Sequence, residues 1–403
     1  MRRMHLYISL LVLLMFPTEV LAITKNKPLT RIPFELVGSY IVLTVAINDA
    51  TKLNLLLDTG IGATLITELS AKDSVLLNVS EQTTLKGLGP GNDLFAWKSK
   101  NNNLRVGKLK LSNQTIYVLT DDIFNLTKHT GYPIQGILGT DLFENHQIWI
   151  NYSTKTLKIF NDSTFVPPSD FTRIPLYLEG TKMFVDVHIE DANGQNRTVR
   201  MLLDTGAELA AWFRSQGSNS IPIPQKNIKS FIGKGLNGNI EGTYARMPKI
   251  ELGGHILEQA VVSFPDSASI AHAFSTAQRD GTIGSQILSR FELIFDQKEN
   301  ALYVRPNYKL KKKFTYNMAG IEVIQAQEVL SLPEIYHVRK GSPGDVAGVL
   351  PGDLILEING ESGLKIKLNQ VKHYFETPHK SLSLVLLRNS KTISLRIPIK
   401  SEL

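Results

Sequence analysis

Two short stretches, LLLDTG at residues 55–60 and MLLDTG at residues 201–206, each run an aliphatic series into Asp-Thr-Gly. One such triplet carries little weight, because an acid after an apolar strand is common. Two of them form a pattern when each is followed by a second short stretch ending in glycine. ILG stands at 137–139 and TIG at 282–284, so Gly139 lies 81 positions beyond Asp58 and Gly284 lies 80 beyond Asp204. A pair of carboxylates offers acid–base chemistry. Brought close, the two cannot both ionise cheaply, so one keeps a proton while the other is charged. A water between them can lose a proton to the charged member as it attacks a carbonyl, while the protonated member donates toward the developing oxyanion. Gly60 and Gly206 permit a tight turn that brings backbone N–H groups to the carboxylates. Thr59 and Thr205 supply hydroxyls able to bond across a local axis.

The elements that must position this pair are themselves duplicated. IPFELVGSYIVLTVAINDATKLNLLLDTG from Ile32 corresponds to IPLYLEGTKMFVDVHIEDANGQNRTVRMLLDTG from Ile174, the second copy being longer in a hairpin turn. GILGTDLFENHQIWINYSTKTLKIF from Gly136 aligns without a gap on GTIGSQILSRFELIFDQKENALYVR from Gly281. Stretches such as YIVLTVAI, MFVDVHI and QIWINY alternate over two residues, are rich in β-branched and aromatic side chains, and are separated by Gly, Asn and Asp turns. Both halves therefore read as β, with GTDLF and GSQILSRF each able to start a short helix. Duplicated units commonly pack about a pseudo-twofold axis, where equivalent loops can meet.

A different pattern begins after the basic run Lys309–Lys313. In GSPGDVAGVLPGDLILEING, Ser342 is a helix N-cap with Pro343 at the first helical position and Gly348 at the helix end. LNQVKHYF then places Leu368, Val371 and Phe375 on one helical face, and LSLVLLR and TISLRIPI are closing strands. This is a small α+β module. At the other end, MRRMH followed by the apolar LYISLLVLLMF and a polar stretch closing on Ala22 has the layout of a cleaved secretory leader. The apolar stretch is about half the ~20 residues a membrane span needs, and nothing later approaches that length, so no membrane span is expected in the mature chain.

The chain's 403 residues, 42% hydrophobic and 20% charged, suit a soluble protein of two or three domains. With no cysteine, disulfides, zinc–thiolate sites and cysteine nucleophiles are excluded. A formal charge of +7 is mild for this length, and the Lys309–Lys313 run lacks interleaved aromatics; it reads as a solvated linker, and nucleic acid is not an expected partner. Asn-x-Ser/Thr sequons at Asn78, Asn113, Asn125, Asn151, Asn161 and Asn196 would matter only in a eukaryotic secretory route. There is no G-x-S-x-G and no H-E-x-x-H, so serine and zinc hydrolase chemistry find no motif here.

On the two DTG triplets and their partner glycines, residues 30–306 resemble an aspartic protease with both lobes in one chain, each lobe close to the retropepsin type. The resemblance implies a mainly β, two-lobed β-barrel fold, catalysis by Asp58 and Asp204 without metal or other cofactor, and polypeptide substrates. It makes Gly139 and Gly284 part of a crossed-loop support for the Asp loops. It also places flaps at GLGPGND, with Gly87, Gly89 and Gly91, and at GKGLNGN, with Gly235 and Gly238; plain turns are the alternative. Thr64 stands where the family often has a small hydroxyl residue, whereas Ala210 occupies that place in the second copy. Glu208, beside the second triplet, reads either as a substrate contact or as a solvated acid.

The tail resembles a PDZ domain through GSPGDVAGVLPGDLILEING. That resemblance implies capture of a peptide C-terminus, with Gly320, Ile321 and Val323 in the carboxylate loop and strand and Val371 and Phe375 lining the groove. The expected organisation is a leader at 1–22, lobes at 23–165 and 166–306, a basic linker at 307–314 and the PDZ module at 315–403. The expected function is that of a secreted or periplasmic aspartic endopeptidase. The alternative is an inactive protease-like body that captures peptides as an adaptor.

Overall fold

The computed structural model describes residues 27–49, 51–69, 77–161, 165–217, 219–276, 278–326 and 331–403, so the leader read at 1–22 lies outside the described residues. Each half folds into an eight-stranded sheet with the same strand order. In the first, the order is Glu35–Val37, Tyr40–Ile47, Thr51–Leu57, Gly136–Leu138, Thr64–Ile66, Leu109–Leu119, Leu94–Val106 and Val79–Leu85. In the second it is Tyr177–Glu179, Lys182–Glu190, Asn196–Leu203, Gly281–Ile283, Ala211–Phe213, His255–Pro265, Gly238–Leu252 and Asn227–Gly235. A further pairing, Tyr40–Ile47 with Leu94–Val106 and Lys182–Glu190 with Gly238–Leu252, curls each sheet toward a barrel.

A six-stranded sheet joins the halves and fixes their symmetry. Its order is Thr30–Pro33, Thr156–Asn161, His146–Asn151, Phe291–Asp296, Ala301–Pro306 and Thr172–Pro175, three strands from each half. At the central antiparallel pair Trp149 faces Ile294, with Ile148 opposite Phe295 and Ile150 opposite Leu293. The gapless alignment of the two copies makes Trp149 and Ile294 equivalents, so Trp149 pairs with its own counterpart, while Ile148 and Ile150 each pair with the counterpart of the other. Only a local twofold axis through this pair produces that register.

Alternation along the two strands that lead to the Asp-Thr-Gly turns explains their aliphatic series. Leu55, Leu57, Met201 and Leu203 are fully buried in the main core, whereas Leu56 and Leu202 point to the other face and line a cavity between the halves. Each core aliphatic contributes about 1.5–3 kcal/mol of burial. The loop at the strand's end is thereby anchored on one side and kept away from bulk water on the other.

The C-terminal module is a sheet ordered Ile321–Gln325, Pro333–Val338, Leu354–Ile358, His379–Arg388 and Lys391–Ile399, with Glu361–Ser362 beside the third strand. Its helices are Pro343–Val346 and Leu368–Glu376. The first starts as expected: Ser342 Oγ accepts from the Asp345 N–H at 3.3 Å, Pro343 takes the first position, and Gly348 has φ +83°. The linker before the module is held and not free: the Arg290 guanidinium donates to the carbonyls of Lys309 and Leu310 at 3.0 Å and stacks on Phe314. The lysine side chains of that run carry the charge, but its backbone is pinned to the second half. Among the described residues no helix is long and apolar enough to cross a membrane.

Candidate active site

Asp58 and Asp204 meet at the twofold axis, their carboxyl groups hydrogen-bonded to each other. The Gly60 N–H donates to Asp58 Oδ1 at 2.6 Å and the Gly206 N–H to Asp204 Oδ1 at 2.9 Å. A side chain at Gly60 would place its Cβ 2.9 Å from Asp204 Oδ2, and one at Gly206 would strike the Asp58 carboxyl group. Burial, and after it the facing Asp204, push Asp58 well above the ordinary carboxylate range. Burial raises Asp204 as well, but the hydrogen bond from Asp58 and the Arg279 guanidinium oppose the rise. Both groups are raised, so the pair holds one shared proton beside one negative charge.

The threonines lock the two loops together. Thr59 Oγ1 donates to the Leu203 carbonyl at 2.8 Å and accepts from the Thr205 N–H at 3.1 Å; Thr205 Oγ1 donates to the Leu57 carbonyl at 2.8 Å and accepts from the Thr59 N–H at 3.2 Å. Both side chains are fully buried, so each bond replaces water that cannot reach the site.

Behind the loops the chain crosses itself in the same way in each half. Gly136–Leu138 lies parallel to Thr51–Leu57 and antiparallel to Thr64–Ile66; Gly281–Ile283 has the same two relations to Asn196–Leu203 and Ala211–Phe213. Gly139 sits where a Cβ would come within 2.7 Å of both the nitrogen and the oxygen of Ala63. Gly284 is as tightly placed against the Leu209 and Ala207 carbonyls. Because these neighbours are backbone, neither can swing aside. Gly139→Ala is expected to lower stability by about 1–3 kcal/mol, checked as a fall in Tm. An unchanged Tm would show that the crossing has slack. Thr64 contacts Asp141, which accepts from its N–H at 3.0 Å and its hydroxyl at 3.2 Å, and burial brings Asp141 to about 6.

The glycine-rich stretches are hairpin tips that meet each other. Asn237, a residue the sequence reading did not single out, holds them: its Oδ1 accepts from the Gly87 N–H at 2.5 Å, its N–H donates to the Leu88 carbonyl at 2.8 Å, and its carbonyl accepts from the Gly91 N–H at 2.6 Å. Gly89, at φ +115°, passes so close to the Asn237 backbone that no side chain fits, and Gly235 passes equally close to Leu88. Gly238, at φ +113°, turns the second tip. The signal available in sequence was the Asn-Gly pair at 237–238, a common turn dipeptide. Together the tips line one cavity of about 1050 Å³ with Asp58 and Asp204.

The C-terminal module completes that cavity, with a different face from the one expected. Ile321, Val323, Val371 and Phe375 are buried in the module's own core and not on its groove. Glu322 of the strand and Asn369, Lys372, His373 and Glu376 of the helix line the cavity. The cause is periodicity: positions 368, 371 and 375 form one helical stripe and 369, 372, 373 and 376 the other, and the apolar stripe is used to hold the helix to its sheet. The loop expected to cradle a carboxylate keeps its donors at home. The Gly320 N–H bonds Asn317 Oδ1 at 2.9 Å and the Met318 N–H bonds the Phe375 carbonyl at 2.9 Å. The short helix Leu126–Thr130 of the first half packs on the strand Ile321–Gln325, and Lys372 Nζ donates to the His129 carbonyl at 3.2 Å.

Glu208 is exposed to solvent but still contacts each of these parts. It accepts from the Ser39 N–H at 3.4 Å, bonds the Tyr40 phenol and lies 3.9 Å from Lys372 Nζ. Burial, and then Glu208, raise Glu376 to about 7. Among the described residues no cluster of three His, Cys, Asp or Glu side chains is placed to hold a metal.

Comparison with known proteins follows the same division. Residues 43–142 match the family described as aspartyl protease, and residues 334–388 match a PDZ domain. Among solved structures, the aspartic proteinase from Irpex lacteus is similar at 14% identity, over 70% of this chain and 98% of that one, with a TM-score of 0.40. One mainly β chain thus carries a match to the aspartyl protease family at residues 43–142 and a match to the PDZ domain at residues 334–388.

Proposed function

We propose that the chain is an aspartic endopeptidase. The observation that carries this reading is the mutual hydrogen bond of Asp58 and Asp204 at the twofold axis, in a cavity roofed by both hairpin tips. The charged member of the pair takes a proton from a water held between the two carboxyl groups as that water attacks a peptide carbonyl. The protonated member gives its proton to the oxygen on which charge develops. On collapse of the tetrahedral species the C–N bond breaks as the proton taken from the water passes to the leaving nitrogen, and a hydroxyl of that species returns a proton to the other carboxylate, so the pair again shares one proton.

The PDZ domain holds an extended polypeptide beside this cavity, since its strand and helix contribute Glu322, Asn369, Lys372 and Glu376 to the same lining. The leader-like layout of residues 1–22 supports action outside the cytoplasm, in a periplasmic or secreted setting. The test is hydrolysis of a mixed peptide library by the purified mature chain, with products identified by mass spectrometry and Asp204→Asn as the control. Internal cleavage by the wild type alone is the expected result. Peptide binding that is the same in both proteins, with no cleavage by either, would favour the adaptor role instead.

A further inference from the structure

One group in the cavity is left without the partner its chemistry demands. Arg279 is 6% exposed, and its Nε has no hydrogen-bond partner. Its one polar contact is from Nη1 to Thr282 Oγ1 at a long 3.4 Å, and its guanidinium lies 5.1 Å from the centre of the Trp212 ring. Among the described residues no carboxylate lies within ion-pairing distance of it, and Asp204 and Glu179 act on it only from farther off. Burying a guanidinium without a bonded anion is costly, so a purely structural arginine here would carry an acid beside it.

A second cation shares the place. Lys182 lines the same cavity and is close enough to Arg279 that, after burial, the arginine is the largest influence lowering its proton affinity. Two like charges gathered on one wall of a cleft repel each other and mark a position for an anion. The guanidinium presents a planar fork that suits a carboxylate, and it lies over the Trp212 ring, 5.1 Å from the ring centre.

We propose that Arg279, assisted by Lys182, forms a carboxylate-binding subsite next to Asp204 and selects peptides that carry an acidic group beside the bond to be cut. This rests on the endopeptidase reading of Asp58 and Asp204. The carboxylate comes from an Asp or Glu side chain or from a chain terminus, and the two sources are separable. The same guanidinium, by favouring the charged form of Asp204, would make catalysis sensitive to whether the subsite is filled.

The experiment uses the full mature chain and end-blocked peptides that differ only in having Glu, Gln or Leu at successive positions around the cleaved bond, with one further peptide whose single carboxylate is a free C-terminus. The wild type is expected to favour Glu over Gln at one position by about tenfold or more in kcat/KM, the worth of one charge-assisted contact. That ratio should collapse toward unity in Arg279→Met, fall partway in Lys182→Met and be largely kept in Arg279→Lys, which also serves if the methionine variant does not fold. Preference for the free C-terminus over all internal Glu positions would assign the subsite to chain ends.

Binding of the same peptides to Asp58→Asn, read by fluorescence anisotropy, needs no turnover. A Glu preference there without cleavage by the wild type would keep the subsite and reject the endopeptidase. Cleavage of Glu and Gln peptides at equal rates would keep the endopeptidase and reject the subsite. A change in Arg279→Met that moves both peptides alike, with only a shifted pH profile, would also reject it, because the arginine would then act on Asp204 alone.

Discussion

Asparagine in place of Asp58 is expected to lower kcat/KM by about 10²–10⁴-fold for every peptide the wild type cleaves, the usual worth of a positioned acid–base group. Asp204→Asn should do the same, since an amide neither accepts the water's proton nor carries the charge that makes its partner a donor. The working form has one proton on the pair, so wild-type activity should fall at high pH as the pair loses that proton and at low pH as it gains a second. Steady-state rates over a pH series measure both limbs; a single limb would mean that the pair is not coupled.

The same substitution has a stability consequence of defined sign. Asp58 is raised well above its ordinary value of 3.8, so the folded chain keeps a proton that the unfolded chain releases. The contribution is fully present below the unfolded value and is lost as pH rises through the folded one. Asparagine has no such dependence. Asp58→Asn is therefore expected to match the wild type in Tm under acid conditions and to exceed it increasingly toward neutral pH, as followed by calorimetry. A gap that is constant with pH, or a variant less stable at neutral pH, would contradict the shared-proton arrangement.

Thr59→Val carries the second large effect. Valine keeps the shape but removes the hydroxyl that donates to the Leu203 carbonyl and accepts from the Thr205 N–H, in a place with no access to water. Each orphaned buried group costs about 1–3 kcal/mol, so a loss of about 2–5 kcal/mol is expected from urea unfolding with the slope unchanged. Thr205→Val should cost a similar amount, because its two bonds are the symmetric counterparts. Serine at either position keeps the hydroxyl and should cost far less. If valine were tolerated within about 0.5 kcal/mol, the range of an ordinary surface change, the bonds across the axis would not be what holds the loops.

Much of this site was legible as pattern. The repeat of Asp-Thr-Gly, the paired glycines at 139 and 284 and the glycine-rich tips were readable because each answers a local demand: a tight turn, a backbone crossing or a positive φ. The capping serine at 342 was readable for the same reason. Asn237 and Tyr40 were not, and Glu208 was visible only as an acid beside the second triplet, since their partners stand far off in sequence: Gly87 lies 150 positions from Asn237, and Ser39 lies 169 from Glu208. The helix at 368–376 shows the limit most clearly. Its apolar stripe was visible, but whether that stripe faces a ligand groove or the module's own sheet depends on what lies across from it, and the sheet takes it.

The amino-acid sequence by itself determined the duplicated β unit, the change of character after the basic run and the residue types able to share a proton, because periodicity and turn chemistry act over a few neighbours. Tertiary structure alone decided that Trp149 pairs with its own counterpart, that Asp58 and Asp204 consequently touch, that the PDZ helix turns its polar face to the cavity and that Arg279 stands there without an acid. The physical reason is that such contacts depend on which surfaces meet when separate elements pack, and the local preferences of a strand or helix leave that choice open.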